Sequence, residues 1–300
     1  MSLLRFLHYS DVHLTVPKLG WRPRDVLSKK SIGWVNVKFL GRGRRFRHAT
    51  TVADAMISDA RKRGHDAILF SGDATKLAFE PEFAFAAERL GVGASDLPLT
   101  VAIPGNHDYY TRRDERSGVF ERYFAPWLQG ERIGEHQYPF ARRVGHIWLV
   151  CVNSSYPQRW NTTASRMIGP SQLERLVMLA RALPPGPRIL ITHYPLRDSH
   201  GRIEQRSHRL LDHRLALAAA KEAGIGLWLH GHIHKPFVLR PGHEIPFPVI
   251  CAGSSTQTHR WAHNEYVIDG TKLTMTRRVW NPDEGEFQPE RPIVFDLASG

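Results

Sequence analysis

Ile103-Pro104-Gly105-Asn106-His107-Asp108 is the stretch on which the reading of this chain turns. It closes an apolar run, residues 97–103, that predicts a buried strand. A Pro-Gly turn at the strand's end would lift Asn106 and His107 over the strand tips, where open α/β sheets place their chemistry. Asn106 brings a neutral carbonyl oxygen that can ligate a metal, and His107 brings a proton donor beside it. Gly-Asn is also ordinary turn chemistry, so the other strand ends have to decide.

Four further strands end the same way. Residues 5–10 run into Asp11-Val12-His13, and residues 67–70 into Ser71-Gly72-Asp73. Residues 188–192 stop at His193, and residues 225–229 at His230-Gly231-His232-Ile233-His234. Asp11 and His13 are two apart, as are His232 and His234; in an extended segment such a pair points to one side and can face one ion. Asp11, His13, Asp73, Asn106, His193, His232 and His234 thus form a ligand set of nitrogen and oxygen without thiolate. That set suits Mn, Fe, Zn, Co or Ni better than a cysteine-rich zinc site or an all-oxygen calcium site. Seven ligands are too many for one ion and suffice for two if one carboxylate bridges.

Between the strands, helices are predicted over residues 49–63, 81–90, 171–183 and 210–223 from their apolar spacing and their Gly and Pro stops. Residues 109–145 read as irregular, with an aromatic cluster of Tyr109, Tyr110, Phe120, Tyr123, Phe124 and Trp127. Residues 146–152, 247–252, 265–269 and 273–279 read as strands, the last three antiparallel. No composition shift marks a boundary, so the expectation is a single domain over residues 1–300.

The chain has 300 residues, 42% of them hydrophobic and 23% charged, which supports a large core and excludes a disordered protein. No apolar run reaches the ~20 residues of a spanning helix. The N-terminus meets polar residues too early for a signal peptide and reads as a first strand. Cys151 and Cys251, the only cysteines, sit in apolar strands with no zinc or redox spacing; they predict buried free thiols and a cytoplasmic setting.

The net charge of +12 calls for an anionic partner. Residues 17–48 carry ten basic side chains against one acid, Asp25, which is +9 of that total. Trp34, Phe39, Leu40 and Phe46 alternate with the Lys and Arg, as an interfacial membrane segment requires. This insert is expected to border the active site, and either to attach the protein peripherally to an anionic membrane face or to be a plain folded insert with a basic face. Nucleic acid ranks below that, since neither a helix-turn-helix nor an aromatic RNA-binding signature is present.

Asp11-x-His13, Gly72-Asp73, Gly105-Asn106-His107-Asp108, His193 and Gly231-His232-x-His234, in that order, resemble the motif set of the calcineurin-like metallophosphoesterase superfamily over residues 5–255. The resemblance implies a four-layer αββα sandwich, with Asp11, His13 and His234 on one metal, Asn106, His193 and His232 on a second, and Asp73 bridging. Its cofactors would be two divalent ions, with Mn the ion to supply in vitro. The implied activity is hydrolysis of a phosphodiester or pyrophosphate bond in a small anionic substrate by metal-activated water. His107 would stabilise developing charge or protonate the leaving oxygen, and Asp108 would orient His107 or brace the turn. Length and layout are similar to compact bacterial cyclic-nucleotide phosphodiesterases and to pyrophosphatases that split UDP-diacylglucosamine. The insert favours the second, whereas His107, where those pyrophosphatases carry Arg, keeps phosphodiesterase chemistry open. A nuclease and a non-enzymatic metal-binding scaffold are the remaining alternatives.

Overall fold

The structure is a computed structural model that describes residues 3–157, 164–206, 208–242 and 244–297. Met1 and Ser2, the start of the expected first strand, lie outside the described residues, as does the side chain of Arg42 in the basic insert.

Two sheets lie face to face. In the first, β1 (Leu4–Tyr9), β2 (Ala67–Phe70) and β3 (Leu99–Ala102) run parallel. β11 (Ala262–Asp269) joins β1 antiparallel, and β12 (Lys272–Asn281) follows it. β13 (Glu286–Pro289) and β14 (Ile293–Asp296) pair with successive parts of β12. The second sheet has a parallel centre of β6 (Ile147–Cys151), β7 (Arg188–Ile191), β8 (Ile225–His230) and β10 (Val249–Cys251). Antiparallel strands β4 (Glu131–Arg132), β5 (Phe140–Val144) and β9 (Phe237–Leu239) complete its edges.

Alternation along the strands of the second sheet explains the layering. Ile147, Leu149, Cys151, Leu227 and Leu229 join Phe6, Leu69 and Val101 in the core between the sheets. Trp148, Val150, Leu190 and Trp228 point the other way, onto α7 (Pro170–Ala182) and α8 (His213–Glu222). Strands buried on both faces read as continuous apolar runs, which is why they were legible. On the far side, α3 (Ala49–Lys62) and α4 (Glu80–Leu90) bury Val52, Met56, Phe83 and Leu90 in the core that contains the first sheet. This is the expected αββα sandwich. Cys151 and Cys251 are buried and unpaired.

Residues 109–145 depart from expectation. They hold α5 (Arg112–Ser117), α6 (Val119–Phe124) and β5 rather than irregular chain. Each helix has six residues, too few for an amphipathic period to show, and α5 is set by a capping box between Thr111 and Asp114. Tyr109, Phe120, Phe124 and Trp127 belong to the main core, with Phe124 stacked on Phe70 of β2.

The basic insert folds as α1 (Pro23–Val26), α2 (Lys29–Lys38) and a 3₁₀ turn at Arg42–Phe46. Its aromatic residues divide between the core and the solvent, where Phe39 is exposed. Phe46 is buried and Trp34 packs against the core. On the inner side of α2, the Lys30 ammonium pairs with Asp114 at 2.8 Å and donates to the Ala78 carbonyl at 2.6 Å. No helix among the described residues is long and apolar enough to cross a membrane.

Candidate metal centre

β1, β2 and β3 are neighbours with their C-terminal ends together, and so are β7 and β8 in the other sheet. The loops leaving these five ends meet at one place. Asp11 N–H donates to Gly72 O and His13 N–H to Asp73 O, which ties the β1 loop to the β2 loop. Ser254 Oγ donates to Asp11 O and Thr256 Oγ1 to Val12 O, which clamps the β1 loop from the other side.

The two-apart pairs are not extended. Asp11, His13, Asp73, His232 and His234 all have positive φ, between 44° and 68°. Asp and His tolerate this left-handed region better than most residues, yet each still costs about 1–3 kcal/mol, the kind of strain concentrated at functional sites. The strand-alternation argument therefore fails for His232 and His234, which face opposite parts of the centre. Glycines make room for the turns: a Cβ on Gly105 would stand 2.1 Å from Asp73 Oδ1.

Two carboxylates divide their oxygens between backbone and centre. Asp11 Oδ2 accepts from His232 N–H at 2.9 Å, and Asp73 Oδ1 accepts from His107 N–H at 2.6 Å. The remaining oxygens point inward. Asp11 Oδ1 is buried without a hydrogen-bond partner, 3.0 Å from His234 Nε2 and 3.8 Å from His13 Nε2. Asp73 Oδ2 is 3.5 Å from His13 Nε2 and 3.5 Å from His193 Nε2.

Each imidazole is anchored through the nitrogen that faces away. His13 Nδ1 lies 3.2 Å from Thr75 O, His193 Nδ1 2.8 Å from Ser71 O, and His234 Nδ1 2.6 Å from Gln257 Oε1. His232 turns the other way round, with Nε2 at 3.1 Å from His208 O. These acceptors assign the N–H to the outer nitrogen of each ring and leave a lone pair on the inner one. Inward are therefore lone pairs and carboxylate oxygens only: His13 Nε2 and His234 Nε2 are 3.1 Å apart, and His232 Nδ1 and His193 Nε2 stand 2.8 and 3.2 Å from Asn106 Oδ1. Such a set repels itself unless cations sit among the atoms, so the donors fit divalent ions. Asp11, His13, Asp73 and His234 offer ligand atoms all within 4.8 Å of one another. Asn106, His193 and His232 make a second cluster across Asp73. Burial alone would push the Asp11 carboxyl up; positive charge on the inner side of the His234 and His13 rings outweighs it and holds the carboxyl well below the usual carboxylate range, so the Asp11 carboxylate answers to cationic partners at this spot.

His107 lines the cleft beside Asn106, with its Nδ1 2.6 Å from Lys76 O. Asp108 turns its carboxylate to the backbone. It accepts from the backbone N–H groups of Asp73, Ala74, Thr75 and Gly105 at 2.8–3.1 Å and so laces the β2 and β3 loops together.

The centre floors a cleft of about 1330 Å³. Arg45 and Arg260 stand on its walls, and so do Lys29, Leu27 and Ile32 from the insert. Arg112 and Arg113 are exposed outside it. His8, His230 and His263 are buried; His230 Nδ1 contacts Gly231 O, and His263 packs on Phe287, away from the site. Several contributors gave no sequence signal. Gln257 orients His234, Phe46 packs on His13 with ring centroids 4.6 Å apart, and Tyr194 stacks on His232 at 4.0 Å. Lys76, whose ammonium burial lowers to about 8, supplies only its carbonyl to His107. Backbone acceptors and single residues at arbitrary spacing leave no motif.

Residues 4–236 match a family model described as calcineurin-like phosphoesterase. A dimetal phosphatase from Danio rerio has a similar structure at TM-score 0.68 and 10% identity, covering 98% of this chain and 99% of that one. A purple acid phosphatase from yellow lupin (Lupinus luteus) seeds aligns at TM-score 0.59 and 12% identity, covering 98% of this chain and 54% of that chain. At these identities the likeness is one of fold. No curated protein sequence matches the chain.

Proposed function

Because the chain belongs to the calcineurin-like phosphoesterases, metal-dependent phosphoester hydrolases, we propose that its centre hydrolyses a phosphodiester or pyrophosphate bond with two divalent cations held by named residues. Asp11, His13 and His234 hold the first, Asn106, His193 and His232 the second, and Asp73 both. The observation that carries this reading is the position of Asp73 Oδ2, equally far from one histidine of each cluster. When bound, a cation pair supplies Lewis acidity, drawing charge from the phosphoryl oxygens and making a water acidic enough to attack.

The residues do the rest. The carbonyl and amide acceptors behind the histidines hold each ring in one tautomer, so the ligand atoms are set before any substrate arrives. His107 donates through Nδ1 to Lys76 O, which leaves Nε2 as the nitrogen that exchanges a proton with the leaving oxygen. Asp108 is a positioning residue: it fixes the Gly105 turn and, through it, Asn106 and His107. Arg45 and Arg260 attract a phosphate to the cleft.

For the substrate we favour a lipid-linked nucleotide such as UDP-diacylglucosamine. A cleft with cations at its floor, arginines on its walls and Leu27 and Ile32 at one side suits a molecule with an anionic and an apolar end. Mn is the metal to supply, the whole chain acts as one domain, and its buried thiols fit the cytoplasm. A panel of bis-p-nitrophenyl phosphate, cyclic AMP, UDP-diacylglucosamine in detergent and single-stranded DNA, with Mn²⁺, tests the reading. Highest turnover of the UDP-lipid supports it. Preference for cyclic AMP or DNA assigns a phosphodiesterase or a nuclease, and metal binding without turnover of any of them a scaffold.

A further inference from the structure

Helix α2 is apolar on two opposite faces. At 100° per residue, Lys30, Gly33 and Val37 share one side and Ile32, Val35 and Phe39 the other. The first side is seated. A Cβ on Gly33 would stand 2.2 Å from the Tyr110 hydroxyl, Val37 packs on the core, and Lys30 holds Asp114. The second side faces solvent, with Ile32 67%, Val35 43% and Phe39 68% exposed. Leu27 and Leu40, at 96% and 71%, extend the patch past both ends of the helix. A surface helix needs one apolar stripe, and an exposed contiguous second one marks a surface that something covers.

Charge says what covers it. Arg24, Lys38, Arg44, Arg45 and Arg47 of the same insert are exposed, Lys38 on α2 itself next to Phe39. The only acid of residues 17–48, Asp25, is buried and accepts from Arg22 N–H at 3.0 Å. A second copy of the chain would bring two strongly positive surfaces together. A nucleic acid would reward the arginines and leave five apolar side chains uncovered. An anionic lipid surface answers both, taking the apolar side chains below the headgroups and the cations among the phosphates.

We propose that the outer face of α2, with Leu27 and Leu40 at its ends, docks on an anionic membrane surface. Leu27 and Ile32 also line the cleft over the metal centre, so docking presents the cleft mouth to a phosphoester held in that surface. That consequence rests on the hydrolase reading; the docking does not.

The test is sedimentation of the full chain with vesicles of phosphatidylcholine, with and without phosphatidylglycerol, at low and high salt. Binding should need phosphatidylglycerol and weaken with salt. Val35→Ser/Phe39→Ser/Leu40→Ser should weaken it at least about tenfold, and Lys38→Gln/Arg44→Gln/Arg47→Gln about a hundredfold. Both variants should keep wild-type circular dichroism and wild-type hydrolysis of a soluble phosphodiester, because none of the six residues lines the cleft. Asp73→Asn should still bind vesicles while losing hydrolysis, which separates failure of the docking from failure of the catalytic reading. No binding, binding to neutral vesicles alone, or binding that survives both variants overturns the proposal. A dimer in sedimentation velocity that the serine variant abolishes, or single-stranded DNA binding without vesicle binding, overturns it too.

Discussion

Nε2 of His193 lies 3.5 Å from Oδ2 of Asp73, the same oxygen that stands 3.5 Å from Nε2 of His13. One histidine comes from the second sheet and the other from the first, so this carboxylate oxygen joins the two halves of the centre. Its partner oxygen is held by His107 N–H.

Asp73→Asn keeps an oxygen for His107 N–H and removes the bridging charge. Hydrolysis of bis-p-nitrophenyl phosphate should fall at least ~10²-fold. Metal analysis should show fewer bound ions than in the wild type. Near-normal turnover would remove Asp73 from the bridge.

His107→Asn takes away the proton donor beside the leaving group and leaves the proposed ligands in place. The expected loss is ~10²–10⁴-fold for poor leaving groups, with metal content unchanged. A p-nitrophenyl ester, whose leaving group needs no proton, should lose far less. Equal losses for alkyl and p-nitrophenyl esters would contradict the acid role.

Gly105→Ala places a Cβ 2.1 Å from Asp73 Oδ1 and 2.3 Å from Asp73 N. The second of these atoms is backbone, so the loops must part. Urea unfolding should show a loss of about 1–3 kcal/mol together with weakened metal binding. Unchanged stability and metal content would mean that the two loops are not packed as described.

Burial holds His8 and His263 neutral, lowering each ring to about 3 from an ordinary 6.5. Below pH 6.5 the unfolded chain takes up these protons and the folded chain refuses them until near pH 3. The stability they permit is complete above pH 6.5 and falls as pH drops toward 3, by up to about 1.4 kcal/mol per pH unit for each ring. His263→Gln, far from the metal centre, should flatten the slope of unfolding free energy against pH. A slope that is unchanged would show that His263 titrates normally in the fold.

Strands β1, β2, β3, β7 and β8 were legible because they are apolar throughout and each ends in a residue type that an ordinary turn does not require. The proposed ligands followed from those ends. The reason given for two of them did not hold: His232 and His234 part through left-handed backbone, which a residue pattern does not encode. Helices α5 and α6 escaped notice because six residues hold less than two turns. In the insert, charge and aromatic content were visible, but the split between Phe46 beside His13 and Phe39 in solvent depends on which face of α2 meets Tyr110. Tertiary packing decides that, and the local sequence is apolar either way.

The most direct test of the two-cation centre is electron paramagnetic resonance of the Mn²⁺-loaded protein, read beside its hydrolysis of bis-p-nitrophenyl phosphate. A bridge through Asp73 predicts exchange-coupled Mn²⁺ pairs whose signal appears in step with activity and collapses to isolated ions in Asp73→Asn. Isolated, uncoupled Mn²⁺ in a fully active wild type, or full activity after the metal is stripped, would contradict it.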